Sequence, residues 1–309
     1  MKKDLITILD LSSEEILSLI NRAMVLKKDY KAGIKYMPLT GKTLALIFEK
    51  PSTRTRVSFE VAMYQLGGQV IFLTKDVTQM SREEPIKDTA RVLSRYVDVI
   101  AMRTYSQNLI EEMARWSSIP VINALSDKYH PCQVLSDLMT VQECKGCIKG
   151  LKIAWIGDGN NVSHSWINAA IRLDFVLYLA CPKGYEPASD VLENAKKRKN
   201  IFFTYDPIEA IKEADVINTD VWVSMGQERY QKAKECFLPY QVNSKLLSYA
   251  KPQAIVMHCL PAHREEEITE EVIEGPQSVV FDQTENKLHL HKALLEKLLC
   301  NFLFSPDKV

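Results

Sequence analysis

Five consecutive residues, Ser52-Thr53-Arg54-Thr55-Arg56, bring three hydroxyls and two guanidinium groups together directly after Pro51. Hydroxyl and backbone N–H donors beside a planar arginine fork suit the oxygens of a phosphate. The run follows the short apolar segment Thr43–Phe48 and precedes a helical pattern from Val57 to Leu66, with the helix expected to begin near Thr55. It therefore sits where a helix N-terminus offers unpaired N–H groups and a partial positive charge. This placement predicts a grip on a phosphate-bearing small molecule. A Ser/Thr helix cap beside two solvated arginines is the plainer alternative.

Two other constellations carry less. Gly157-Asp158-Gly159 after an apolar run opens like a dinucleotide fingerprint, but Val162 stands where the third glycine belongs. The next apolar run, Val176–Leu179, continues into Ala180-Cys181 without an acidic residue, which argues against nicotinamide chemistry. Cys144 and Cys147 form a C-x-x-C with no second Cys or His pair at zinc-like spacing, so they read as reduced thiols near a helix end.

The elements that hold these groups repeat a simple alternation. Apolar runs at Thr43–Phe48, Val70–Leu73, Val99–Met102 and Val121–Asn123 are separated by helical patterns at Val57–Leu66, Ile86–Tyr96 and Asn108–Trp116. Ser12 caps a helix with apolar residues at Ile16, Leu19, Ile20, Ala23 and Met24. A second series begins after Gly146: strands at Lys152–Ile156, Val176–Leu179, Ile201–Phe203, Val216-Ile217 and Ala254–Met257, with a helix from Ser163 to Leu173. Val134–Glu143 bridges the two series, and a last helical pattern starts at Leu288. Strands alternating with helices predict an α/β protein of two domains, each a mostly parallel sheet flanked by helices, joined by interdomain helices. Ligands of such sheets bind beyond the carboxyl ends of the strands, where the loops named here lie.

The chain has 309 residues, 46% of them hydrophobic, and Lys+Arg equals Asp+Glu at 39 each. Zero formal charge gives no field for nucleic acid or an anionic membrane, so anion binding must come from local arginines. No apolar stretch approaches the roughly 20 residues a membrane span needs, and no leader pattern opens the chain. Seven scattered cysteines argue against a disulfide framework and for a cytoplasmic protein.

The run Ser52-Thr53-Arg54-Thr55-Arg56-Val57-Ser58-Phe59-Glu60 resembles the carbamoyl-phosphate signature of the aspartate and ornithine transcarbamylases. Met102-Arg103-Thr104, His130-Pro131-Cys132-Gln133, Asp220-Val221-Trp222-Val223-Ser224-Met225-Gly226 and His258-Cys259-Leu260-Pro261 agree with that family in order and approximate spacing. The last two are similar to its ornithine branch. The resemblance implies transfer of a carbamoyl group from carbamoyl phosphate to the δ-amine of ornithine, with no cofactor and no metal. It implies a carbamoyl-phosphate-binding domain over 1–130, with 288–309 packing back on it, and an ornithine-binding domain over 131–287.

Residue roles follow from the same resemblance. Ser52, Thr53, Arg54 and Thr55 hold the phosphate; Arg103 reaches phosphate and carbonyl, His130 donates to that carbonyl, and Gln133 orients the carbamoyl amide. Gln79 reaches the active site of a neighbouring subunit, which implies a trimer or a multiple of trimers, although Ser81 and Glu83 stand where the family has glycines. Asn161, Asp220, Ser224 and Met225 receive the amino-acid end of ornithine. Cys259 and the Leu260 carbonyl face the δ-amine, and Leu260-Pro261 is expected to be cis. Lys287 follows Glu285-Asn286 where the family has arginine, and is expected to bind carbamoyl phosphate more weakly. Taken singly, each residue has a plainer reading: His130 capping a turn, Arg103 paired with Glu111 or Glu112, Asp220 with Ser224 as a loop contact, Cys259 as a small buried hydrophobe. A relative that binds metabolites without catalysis, or an acceptor such as putrescine, aspartate or acetylornithine, are the competing functions.

Overall fold

The computed structural model describes residues 2–74, 84–222 and 230–300. The chain divides into two compact units, Met1–Met139 with Glu285–Val309, and Thr140–Thr284.

In the first unit, α1 (Ser13–Lys31) leads to β1 (Thr43–Phe48), α2 (Thr53–Gln65), β2 (Gln69–Thr74), α3 (Ile86–Tyr96), β3 (Val99–Arg103), α4 (Gln107–Trp116), β4 (Val121–Leu125) and α5 (Pro131–Lys145). The four strands are parallel in the order β2-β1-β3-β4. Every residue of β1 and β4 is buried, as expected of strands covered on both faces. Gly67, at φ +86°, and Gly68 end α2: their N–H groups return to the carbonyls of Tyr64 and Met63 at 3.1 and 2.8 Å. Ahead of α1, residues 4–6 clasp the free side of β4. Leu5 exchanges backbone hydrogen bonds with Val121 and Asn123, the Asp4 carboxylate accepts from the Val121 N–H at 2.8 Å, and the Asn123 amide donates to the Ile6 carbonyl.

The second unit runs β5 (Lys152–Ile156), α6 (Asn161–Arg172), β6 (Val176–Ala180), α7 (Ser189–Lys196), β7 (Ile201–Thr204), α8 (Pro207–Ile211), β8 (Val216–Thr219), α9 (Tyr230–Phe237), α10 (Ser244–Leu247), β9 (Ile255–His258) and α11 (Glu270–Ile273). Its five parallel strands are ordered β7-β6-β5-β8-β9. Ala154, Ile156, Ile217, Val256 and Ile268 lie in its core.

The last helix, α12 (Val280–Leu299), starts upstream of the expected Leu288. Its opening residues, Val280-Phe281-Asp282-Gln283-Thr284, alternate apolar and polar too irregularly to show a helical face. From Glu285 onward it belongs to the first unit. Arg22 makes a two-pronged contact with Glu296 at 2.7 and 2.7 Å, Lys27 donates to Asn286, and His291 stacks on Phe59 with ring centroids 3.7 Å apart. Lys287 therefore sits in the first unit and not in the second, where the 131–287 boundary had put it. The other boundary falls inside α5, after Met139 rather than at residue 130.

Candidate functional site

Each sheet reverses its strand order at one point, between β1 and β3 in the first unit and between β5 and β8 in the second. Diverging crossovers leave a crevice beyond the strand ends at such a point. The sequence candidates collect around these two places.

In the first unit, Phe48 is in register with Arg103, so the loop after β1 and the end of β3 are neighbours. The Glu49 N–H donates to the Arg103 carbonyl at 2.8 Å, and the Thr104 N–H to the Leu125 carbonyl at 2.9 Å. Lys50, from the loop after β1, ion-pairs with Asp127 from the loop after β4 and lies 4.2 Å above the Tyr105 ring from the loop after β3. Three consecutive strand-end loops are thus tied to one another. Ser52 is the N-cap of α2, its hydroxyl accepting from the Thr55 N–H at 3.3 Å, and Thr53 and Arg54 open the first turn. Thr55 is buried and Arg54 half-buried. Arg56 departs from the others: its guanidinium meets Glu60 at 2.9 Å and lies 3.7 Å over the Phe72 ring.

The carbonyl of His130 receives the N–H groups of Gln133 and Val134, so the residue does start α5, while its ring is buried. Burial, together with the positive charges of Lys287 and Arg103 and the His291 ring, holds the His130 pKa well below the ordinary imidazole value. A neutral imidazole results, able to donate one hydrogen bond without carrying charge. Lys287 donates from Nζ to Gln133 Oε1 at 2.9 Å, and Gln133 Nε2 donates to Asp137 Oδ1 at 2.8 Å. Arg103, His130, Gln133 and Lys287 thus form one cationic neighbourhood. Asp137 and His291, whose Nδ1 lies 3.0 Å from the Ser58 hydroxyl, were not foreseen. The four-residue step from Gln133 to Asp137 on a helix was the only signal for the former.

In the second unit, Asp220 follows β8 and is buried. Its Oδ2 accepts from Asn160 Nδ2 at 2.8 Å, and its Oδ1 accepts from the Cys259 thiol at 3.1 Å and from the Val221 N–H at 2.9 Å. Asn160, another unforeseen partner, is the N-cap of α6, and Asn161 is that helix's first residue. The carboxyl of Asp158 is pushed up to about 7 by burial and by the negative charge of Asp220. Cys259 follows β9, Leu260 has φ +54°, and the Leu260-Pro261 peptide is cis. Beneath that turn, His258 Nδ1 accepts from the Leu260 N–H at 2.9 Å, so Nε2 carries the ring proton and donates to Glu267 at 2.9 Å. Asp220, His258 and Cys259 place possible ligand atoms within 4.8 Å of one another, but both nitrogens of His258 are already engaged. As they stand, they offer a cation only a carboxylate and a thiol. Gln79, Ser224 and Met225 lie outside the described residues.

Comparison with known proteins also divides the chain in two, with the second match running on into α12. The family profile "Aspartate/ornithine carbamoyltransferase, carbamoyl-P binding domain" matches residues 3–143, and "Aspartate/ornithine carbamoyltransferase, Asp/Orn binding domain" matches residues 149–298. The ornithine carbamoyltransferase of Desulfotalea psychrophila is 57% identical over 293 residues, covering 94% of this chain and 97% of that protein. That of Syntrophus aciditrophicus is 54% identical over 302 residues, covering 97% and 100%. Among solved structures, the ornithine carbamoyltransferase from Pyrococcus furiosus superimposes with a TM-score of 0.94 at 48% identity, covering 97% of this chain and 98% of that one. With both halves matched and near-complete relatives at such identity, this chain belongs to the aspartate/ornithine carbamoyltransferase family.

Proposed function

We infer that this chain transfers the carbamoyl group of carbamoyl phosphate to the δ-amine of L-ornithine, giving L-citrulline and phosphate. The observation that carries the reading is the pairing, in one chain of this family, of a cationic strand-end cluster around His130 with the Asp220–Cys259 contact. The first suits an anionic leaving group. The second suits an amine that must lose a proton.

In this reading the phosphate rests on the N-terminus of α2, held by Ser52, Thr53, Arg54 and Thr55, with Gln79 supplied by a neighbouring subunit of a homotrimer. Arg103 and neutral His130 donate to the carbamoyl oxygen, where negative charge develops as the amine adds. Gln133 accepts from the carbamoyl N–H, and Lys287 adds positive charge. Asn161, Asp220, Ser224 and Met225 receive the α-amino acid end of ornithine. The δ-amine, with a free pKa near that of lysine at about 10.4, reacts only when neutral. Asp220 takes its proton, relayed through the Cys259 thiol that already donates to it, and the Leu260 carbonyl aims its lone pair. The new C–N bond forms as the C–O bond to phosphate breaks; the phosphate leaves with both electrons of that bond and takes the second proton of the attacking nitrogen.

The same reading places the enzyme in the cytoplasm, serving arginine biosynthesis. Among the described residues, no helix is long and apolar enough to cross a membrane. The test is a ureido-product assay of the purified chain with carbamoyl phosphate and, in turn, ornithine, putrescine, aspartate and acetylornithine, citrulline being the product expected from ornithine. Ornithine should be preferred by at least two orders of magnitude in kcat/KM. A preference for any other amine would sink the assignment. Sedimentation equilibrium should give three chains per particle or a multiple of three.

A further inference from the structure

Gln133 is buried, 3% exposed, between a cation and an anion that are themselves 5% and 0% exposed: Lys287 on α12 and Asp137 one turn further along α5. Its two hydrogen bonds, 2.9 Å from Lys287 Nζ to Oε1 and 2.8 Å from Nε2 to Asp137 Oδ1, allow only one orientation of the amide. An ammonium has donors and no acceptor, and a carboxylate has acceptors and no donor. Turned over, the amide would set NH2 against NH3+ and C=O against a carboxylate, two repulsive contacts in a buried setting. Oε1 has two acceptor sites and Nε2 two N–H groups, so one of each is left after these bonds.

We propose that Asp137 is a positioning residue for carbamoyl transfer: it locks Gln133 with its carbonyl toward Lys287 and so presents the remaining Oε1 lone pair to the NH2 of the carbamoyl group. This rests on the carbamoyl-transfer reading above. The i, i+4 step on α5 puts Asp137 and Gln133 on one helix face, and the negative charge draws on the amide N–H, making Oε1 a stronger acceptor. Without that anion the amide can turn, offering N–H to a substrate group that itself donates.

Steady-state citrulline formation separates this from a purely structural role. Citrulline production by the unaltered chain comes first; its absence would overturn both readings. Asp137→Asn keeps the shape and removes the charge, and Asp137→Ser is carried beside it in case the first is poorly folded. Both should lower kcat/KM for carbamoyl phosphate by tenfold or more, the scale of one charged hydrogen bond, while the KM for ornithine stays within twofold. In a Gln133→Met background, which has no amide to orient, the same substitutions should cost less than twofold. Unchanged carbamoyl-phosphate kinetics in the single variants would overturn the proposal. So would losses that multiply in the double variants, because Asp137 would then act other than through Gln133.

Discussion

The two sheets solve the same geometric problem with opposite charge. Both collect their functional side chains on loops beyond the strand ends beside a reversal of strand order. In the first unit the neighbourhood is cationic: burial, reinforced by Lys287 and Arg103, keeps the His130 ring neutral. In the second it is anionic: Asp220 and burial together keep a proton on Asp158 close to neutrality. One fold pattern thus carries a cationic or an anionic neighbourhood, depending on a few side chains beyond its strand ends. Topology supplies the position, and local charge supplies the chemistry.

Removing a cation from the first cluster tests the contrast most severely. Arg103→Ala should lower kcat by about a thousandfold, the cost of losing a donor aimed at a developing oxyanion. Retention of a tenth of the activity would show that the strand-end arginine is not part of the chemistry. On the anionic side, Asp220→Asn should cost about a hundredfold in kcat/KM for ornithine, in the range of a lost proton acceptor, with the KM for carbamoyl phosphate within twofold. An equal loss toward both substrates would dissolve the division of labour.

Stability provides a third probe. Asp158 has a folded-state pKa of about 7, above the ordinary carboxyl value, so the folded state binds more protons between those two values. The associated stability is fully present below about pH 4 and lost as pH rises through about 7. Asp158→Asn does not titrate, so relative to the parent chain it should gain roughly 3 kcal/mol on going from pH 4.5 to pH 8 in denaturant titrations. A difference that stays constant with pH would show that Asp158 is solvated. The smallest effect concerns Lys287. Restoring the arginine fork by Lys287→Arg should lower the KM for carbamoyl phosphate a fewfold, since a guanidinium can meet two oxygens at once. An unchanged or raised KM would indicate that the Lys287–Gln133 contact matters more than a second prong.

Much of this was legible along the chain, for a physical reason. Strands buried on both faces, such as β1 and β4, are short unbroken apolar runs, and the nine strands among the described residues could be located within a residue or two of their ends. Residues at or just beyond the strand ends, such as Arg103, Asp220 and Cys259, inherit their positions directly. Helices α7 to α11, at four to eight residues, are too short to display a helical period, and the polar opening of α12 concealed its start. The less visible parts of the site are partners distant in sequence or hidden inside elements. Nothing in the bare string distinguishes Asp137 or Glu267 from a solvated acid until Gln133 and His258 are seen beside them. Nor does the string show that Arg56, next to Thr55, meets Glu60 and the Phe72 ring.

The clasp of residues 4–6 on β4 has a practical corollary for anyone handling this protein. With Leu5 fully buried and its backbone bonded to Val121 and Asn123, the segment caps what would otherwise be a bare row of amide donors and acceptors. Such a row invites pairing with another chain. Trimming the chain past Asp4, or threading a short rigid fusion through this stretch, would therefore promote clumping even with every active-site residue intact, and affinity handles belong upstream of it.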